Sequence, residues 1–321
     1  MDWFQFNAGD VAVSFLSVLL EGIPFLLLGS LISGLVDAFV SPEQLARVLP
    51  KNRFAAVAAS GLLGLVFPMC ECGSVVVIRR FLRKGLPVGC AITYMLGAPI
   101  LSPIVALSTW AAFRDQDALQ MTALRMACGF AIAVAAGLLF DRLSPSSVLQ
   151  EGILGNSTPS ANQPRTGLRI AAPGDAVSES SDGIATTGRL WRAIYAAATD
   201  FLDVAVFFVI GAGITSVLGT AIQRSALEPL AASPLLSIVA LMAMAAALAL
   251  CSTTDAFIAA TSFPAFSPMA KLAFLLFGPM VDLKLFWLYG LLFRRKTVVF
   301  LCLGLFVLIG LLCWRLQGVG F

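Results

Sequence analysis

Phe67-Pro68-Met69-Cys70-Glu71-Cys72-Gly73 lies inside an apolar segment, 54–78, with basic residues at both ends: Arg47, Lys51 and Arg53 before it, Arg79, Arg80, Arg83 and Lys84 after it. Short cytoplasmic loops collect Lys and Arg, so a single crossing would leave one of these basic groups outside. A hairpin that dips into the membrane and returns keeps both on one side. Its tip falls on the quoted residues, because Pro and Gly break a helix there. The backbone groups they free must face protein or a wet cavity.

Outward from this stretch, apolar runs near 20 residues recur, the length that crosses about 30 Å of hydrocarbon. Candidate spans are 11–36, 54–78, 87–112, 118–140, 195–222, 234–262, 267–292 and 297–317. The composition agrees: 59% of the 321 residues are hydrophobic, only 12% are charged, and the mean hydropathy is +0.92. Soluble domains carry about 25% charged residues, so a water-soluble enzyme is excluded and a polytopic all-α membrane protein is expected, with the lipid bilayer as its first partner. The 21 Lys and Arg are confined to short loops and form no face interleaved with aromatics, which rules against nucleic acid as a partner. Seven cysteines, mostly within apolar segments, and no histidine disfavour a disulfide scaffold and a His-based metal or proton site. No Gly-x-x-x-x-Gly-Lys-Ser/Thr loop is present, so no nucleotide site and no cofactor are expected. Met1–Asp10 lacks the basic residues of a cleaved secretory signal, and the first apolar stretch is expected to stay in the protein.

One stretch breaks the rhythm. Residues 141–190 are rich in Ser, Gly, Pro, Asn and Gln with no helical period, and read as a disordered linker between membrane halves 1–140 and 191–321. The halves resemble each other at a shift of 181 or 182 residues: Glu21 meets Asp203, Gly29 meets Gly211, Cys70 meets Cys251, Pro87 meets Pro268 and Gly97 meets Gly278. An acid, a Cys and a Pro in register through both halves point to an internal duplication, a construction common among secondary transporters.

With three spanning helices and one hairpin per half, the first helix enters from opposite sides in the two halves, so the repeats are inverted. This places fifteen basic residues and the linker on the cytoplasmic side, and Arg114, Arg224, Lys271 and Arg315 outside. The alternative is eight full spans and parallel repeats.

Ionisable groups within the bilayer cost several kcal/mol and each requires a reason. Glu21 and Asp203 occupy matching positions in the first helix of each half, and with Asp282 they are candidates to take up a proton or cation. The alternative for Glu21 and Asp203 is an acid near a helix end, paired with a loop Arg. Arg125 and Lys284 also fall inside apolar segments, where they would pair with Asp282 or another acid; the alternative for Arg125 is a place near an interface. The sharper constellation is Cys70-Glu71-Cys72-Gly73 with its counterpart Cys251-Ser252-Thr253-Thr254-Asp255, each at a proposed helix break. A broken helix presents free N–H groups and a dipole end to a cavity. Thiols at i and i+2 converge only on irregular backbone. There Cys70, Cys72 and Cys251 would suit a soft metal or metalloid, and the alternative is cysteine as small apolar filler. Glu71, Gly73, Ser252, Thr253 and Asp255 complete the substrate-binding candidates. Pro68, Gly97, Pro99, Gly278 and Pro279 are the helix-break candidates, and for the last four the alternative is a kink that serves packing alone.

Phe67–Gly73, Gly97-Ala98-Pro99-Ile100-Leu101-Ser102-Pro103 and Cys251-Ser252-Thr253-Thr254-Asp255-Ala256-Phe257 together resemble the predicted permease family that includes organoarsenical efflux permeases. The resemblance covers both membrane halves and not the linker. It implies an integral inner-membrane permease of prokaryotic type that exports a metal or metalloid species, with Cys70, Cys72 and Cys251 as thiol ligands. The residues themselves leave open a carrier of a small anion, because hairpin N–H groups suit anions as well. They also leave open a channel or membrane subunit of a larger complex, a homo-oligomer, and an intramembrane thiol enzyme using Cys70 and Cys72, which the lack of a Cys-x-x-Cys pair disfavours.

Overall fold

The computed structural model describes residues 8–39, 50, 52–67, 69–150, 185–221 and 233–318. The hairpin-tip Pro68, the basic residues Arg47, Lys51, Arg165, Arg169 and Arg224, and most of the expected linker lie outside the described residues.

A long helix, α1 (Ala8–Phe39), is followed by a broken pair, α2 (Arg53–Val66) and α3 (Glu71–Arg83). A second broken pair, α4 (Val88–Leu101) and α5 (Pro103–Ala112), leads into α6 (Ala118–Asp141). After the single turn α7 (Pro145–Val148) the same order returns: α8 (Ala185–Ala221), then α9 (Pro234–Leu248) with α10 (Thr254–Ser262), α11 (Pro268–Met280) with α12 (Leu283–Tyr289), and α13 (Arg295–Gln317). Each helix from α1 to α6 thus has a counterpart seven places later. Gly9–Val36, Ala118–Asp141, Ala193–Val217, Pro268–Tyr289 and Arg295–Gln317 are long and apolar enough to cross a membrane, and α4 with α5, bent by 41° at Ser102, forms a sixth span. The chain is a multi-pass helical membrane protein.

The stretches expected as spans 54–78 and 234–262 are each two short helices. α2 has 14 residues and α9 has 15. At 1.5 Å per residue each reaches about 21–23 Å, too short to cross ~30 Å of hydrocarbon alone. The reason for the first break is local: Cys70 takes an extended conformation (φ −69°, ψ 164°) and its sulfur accepts the Gly73 N–H, an N-cap that starts α3 afresh. In the second half Ala249 stops α9 in the left-handed region (φ 42°, ψ 49°), where a Cβ is disfavoured. The other two breaks lie slightly beyond the Gly and Pro residues expected to make them. Gly97, Pro99, Gly278 and Pro279 are buried inside α4 and α11. The helices end at Ser102 and Val281-Asp282, where the Ser102 hydroxyl accepts the Ile104 N–H and the Asp282 carboxylate accepts the Leu285 N–H.

Contacts at the helix ends fix directions. Arg53 Nη1 is 3.8 Å from Asp141 Oδ2, Gly89 packs on Asp141, and Lys84 Nζ donates to the Val36 carbonyl at 2.9 Å. Both ends of the α2–α3 pair therefore share one end of the bundle with the end of α1, the start of α4 and the end of α6. At the opposite end, Lys271 donates to Gln116, whose amide donates to the Ala260 carbonyl. This joins the α5–α6 turn to the end of α10 and the start of α11. α1 and α8 pack antiparallel: Gly213 faces Phe15, Gly22 faces Phe208, Ser33 meets Asp200, and Gly34 faces the Ala193 carbonyl. A glycine is required at Gly34, because any Cβ there would overlap that carbonyl.

The stretch read as linker, 141–190, is ordered at both edges. Val148 and Leu149 are buried, Leu149 bridges Phe293, and the Arg294 N–H donates to the Val148 carbonyl at 3.0 Å. α8 already runs from Ala185. The intervening 151–184 lie outside the described residues.

Candidate functional site

The breaks between α2 and α3 and between α9 and α10 meet around a cavity of about 30 Å³, large enough for one or two water-sized guests. Cys70, Glu71 and Cys72 line it from the first break, Ala249, Leu250 and Cys251 from the second. Val18, Glu21, Gly22 and Phe25 of α1, Phe208 of α8 and Lys284 of α12 close it. Three thiols and two acids that the sequence singles out thus share one wall-to-wall space, with a lysine among them. α3 and α10 both begin at this level, so their positive dipole ends lie by the cavity. α3 reaches it by close backbone approach, since at Gly29 an added Cβ would sit 2.9 Å from Gly73 Cα.

Two buried ion pairs tie each break to the other half. Lys284 Nζ lies 3.1 Å from Glu71 Oε1 and 3.6 Å from Asp282 Oδ2, and donates to the Ala249 carbonyl at 2.8 Å. On the second break, Arg125 Nη2 contacts both Asp255 oxygens at 3.1 and 3.0 Å and the Ser252 carbonyl at 3.0 Å, while Nη1 donates to Thr109 Oγ1 at 2.8 Å. Both pairs are nearly sealed, with side-chain exposures of 5% and 3% for Lys284 and Glu71 and 1% and 3% for Arg125 and Asp255. A charge buried in this way is tolerated only with its partner in place.

The remaining candidates fall as follows. Glu21 is half-buried on the cavity wall and accepts the Thr254 hydroxyl at 2.9 Å, an α1-to-α10 contact. Asp282 is fully buried as the cap of α12. Asp203, the sequence counterpart of Glu21, sits elsewhere: it is 57% exposed and paired with Arg79 at 3.0 Å, away from the cavity lining. The buried acid of α8 is Asp200, which accepts from Ser33 and from Arg80, both at 2.7 Å. Sequence reading missed it, although two acids one turn apart in an apolar span, with Arg79-Arg80 elsewhere to answer them, were the available signal. Thr253 donates to the Cys251 sulfur at 3.7 Å. Cys90 and Cys313 are buried apart from the site, as packing residues. Among the described residues no three His, Cys, Asp or Glu side chains converge closely enough to hold a metal ion. Cys70, Cys72 and Cys251 therefore share a cavity without forming a preset three-ligand site.

A multi-pass helical protein whose interrupted helices meet at a small, partly open cavity, with charged and sulfur side chains in an otherwise apolar wall, has the construction of a membrane permease. Residues 8–314 match the model of a family described as a predicted permease, ArsP_1, and the chain belongs to that family. The family resemblance carried by Phe67–Gly73 and its partner motifs is thus confirmed across both halves. The chain is 32% identical over 295 residues to the UPF0718 protein YcgR of Bacillus subtilis, covering 92% of each. It is 28% identical over 285 residues to a Streptococcus mutans protein named "Putative two-component membrane permease complex subunit", covering 89% of this chain and 87% of the relative. No solved structure matches it.

Proposed function

We propose that this permease is a secondary carrier, without enzymatic activity, built from two inverted repeats and working by alternating access around the cavity between its helix breaks. Support for the inversion is the direction of equivalent helices: α1 and α8 are antiparallel, and α4 and α11 start at opposite ends of the bundle. α2–α3 and α9–α10 are then re-entrant hairpins rather than crossings. The end that carries Arg53, Arg79, Arg80, Lys84, Arg294 and Arg295 is cytoplasmic by its positive charge, and with it the linker, in a prokaryotic inner membrane.

The single observation that carries the site is the meeting of Cys70, Cys72 and Cys251, one break from each half, on one cavity. Cys70 and Cys251 on the non-helical breaks, with Cys72 in the first turn of α3, fit a thiophilic metal or metalloid species as the solute, and the family resemblance favours export. The relative named as a complex subunit supports a membrane partner for this chain as well.

The test is saturable flux of trivalent arsenicals and soft metal ions in vesicles, comparing wild type with Cys70→Ser, Cys72→Ser and Cys251→Ser at equal expression. Loss of flux in the three variants is the expected result. Flux indifferent to all three, or absent from wild type, removes the soft-ion reading and leaves a small anion, attracted by the helix N-termini, as the solute to try next.

A further inference from the structure

We propose that the cavity between the two breaks binds one monovalent metal cation of the sodium class, held by Glu21 and Glu71, and that this cation is the coupling ion. The coupling role rests on the carrier reading above; the binding site stands on its own observations.

The charged groups that line the cavity are Glu21, Glu71 and Lys284, two acids against one base. Lys284 is already committed, within 3.1 Å of Glu71 Oε1, donating to the Ala249 carbonyl at 2.8 Å and 3.6 Å from Asp282 Oδ2. It leaves the second negative charge of the lining without a cation. Glu71, on this lining, is 2% exposed, yet its Oε2 has no hydrogen-bond partner. A buried carboxylate oxygen left in this state is costly, and a bound cation relieves the cost directly. Glu21 spends Oε1 on the Thr254 hydroxyl. The C-terminal end of α9 opens on the same space through Ala249 and Leu250, and its negative dipole end offsets part of the positive ends of α3 and α10, so the acids carry the attraction.

Size, charge and ligand type select the occupant. About 30 Å³ holds a small ion with at most one water. The acids around the cavity outnumber its base, the few oxygen ligands suit a monovalent ion better than a divalent one that takes six or more, and carboxylate and carbonyl oxygens prefer a hard cation where thiols prefer a soft one.

The experiment is thermal unfolding of the purified full chain in detergent at constant pH, titrated with sodium chloride, with potassium and choline chlorides at equal ionic strength as controls. Expected is a saturable rise in Tm with sodium and not with choline. In Glu21→Gln and in Glu71→Gln the half-saturating concentration should rise at least about tenfold, as loss of one charge-assisted ligand requires, and in Asp115→Asn, on an exposed turn, it should not change. Gln keeps an oxygen for Lys284 or Thr254. If one of the two variants does not fold, the other decides. A Tm indifferent to sodium, equal in choline, or unchanged in its sodium response in the two variants overturns the site, and a response to pH without one to sodium assigns the position to a proton instead. Sodium binding with solute flux that ignores the sodium gradient overturns the coupling role. Sodium binding in a protein that moves no tested solute counts against the carrier reading and leaves the site intact.

Discussion

Replacing Arg125 by Met would leave Asp255 as a lone carboxylate in the interior, and the size of the penalty follows from what the arginine holds. Its side chain is 1% exposed, that of Asp255 is 3% exposed, and the guanidinium joins Asp255, the Ser252 carbonyl and Thr109 across the two halves. Removing one partner of such a pair costs about 3–5 kcal/mol, because the other remains buried without compensation. Asp255→Leu should cost a similar amount by stranding Arg125. The double variant Arg125→Met/Asp255→Leu removes both charges and should recover most of the loss, giving a coupling energy of at least about 2 kcal/mol. The assay is a double-mutant cycle from equilibrium unfolding in mixed micelles. Single variants that each lose under about 1 kcal/mol, or a double variant equal to the sum of the singles, would refute the claim that this pair binds the second break to the first half.

Three further outcomes are expected. Gly211→Ala would place a Cβ 2.9 Å from Lys284 Cα and Cβ, so α12 must shift; a loss of roughly 1–3 kcal/mol is expected, read by the same unfolding assay. Membrane-permeant maleimide should label the half-buried cavity thiols Cys70 and Cys251 well before the buried Cys90 and Cys313, and equal rates by mass spectrometry would contradict the cavity. Single cysteines introduced at Arg53 and at Lys84 should both react with an impermeant maleimide from the same face of the membrane, since both ends of the α2–α3 pair lie at one end of the bundle; labelling from opposite faces would restore the full crossing.

The parts of the fold that sequence makes legible are those set by local physics. Span limits follow from apolar run length. The break at Cys70 follows from the Pro68 and Gly73 that flank it, the one at Ala249–Cys251 only from its register with Cys70, since Ala and Leu favour helix, and the doubled order follows from residues matched at a fixed shift. Pairings across the halves are another matter. Glu71 and Lys284 are 213 positions apart and Arg125 and Asp255 are 130 apart; an apolar span announces that a buried charge needs a partner without saying which. Asp203 shows the limit most plainly. Its match to Glu21 is one of sequence position, yet α8 turns Asp200 inward onto Ser33 and Arg80 and leaves Asp203 to Arg79 at the surface. One turn of helix separates a buried acid from an exposed one, and only packing chooses between them. The same holds for 144–150, whose Ser-Pro-Ser-Ser composition reads as linker although Leu149 docks on Phe293.

The most direct test joins the two breaks covalently. In a variant that keeps only Cys70, Cys72 and Cys251, with a protease site placed between 151 and 184, mercuric ion or a short bifunctional thiol reagent should bridge the cavity. The two halves should then remain one species after cleavage, with solute flux stopped and restored by excess thiol. Halves that separate after treatment, or a bridged protein that still transports at its full rate, would contradict a transport site formed where the two helix breaks meet.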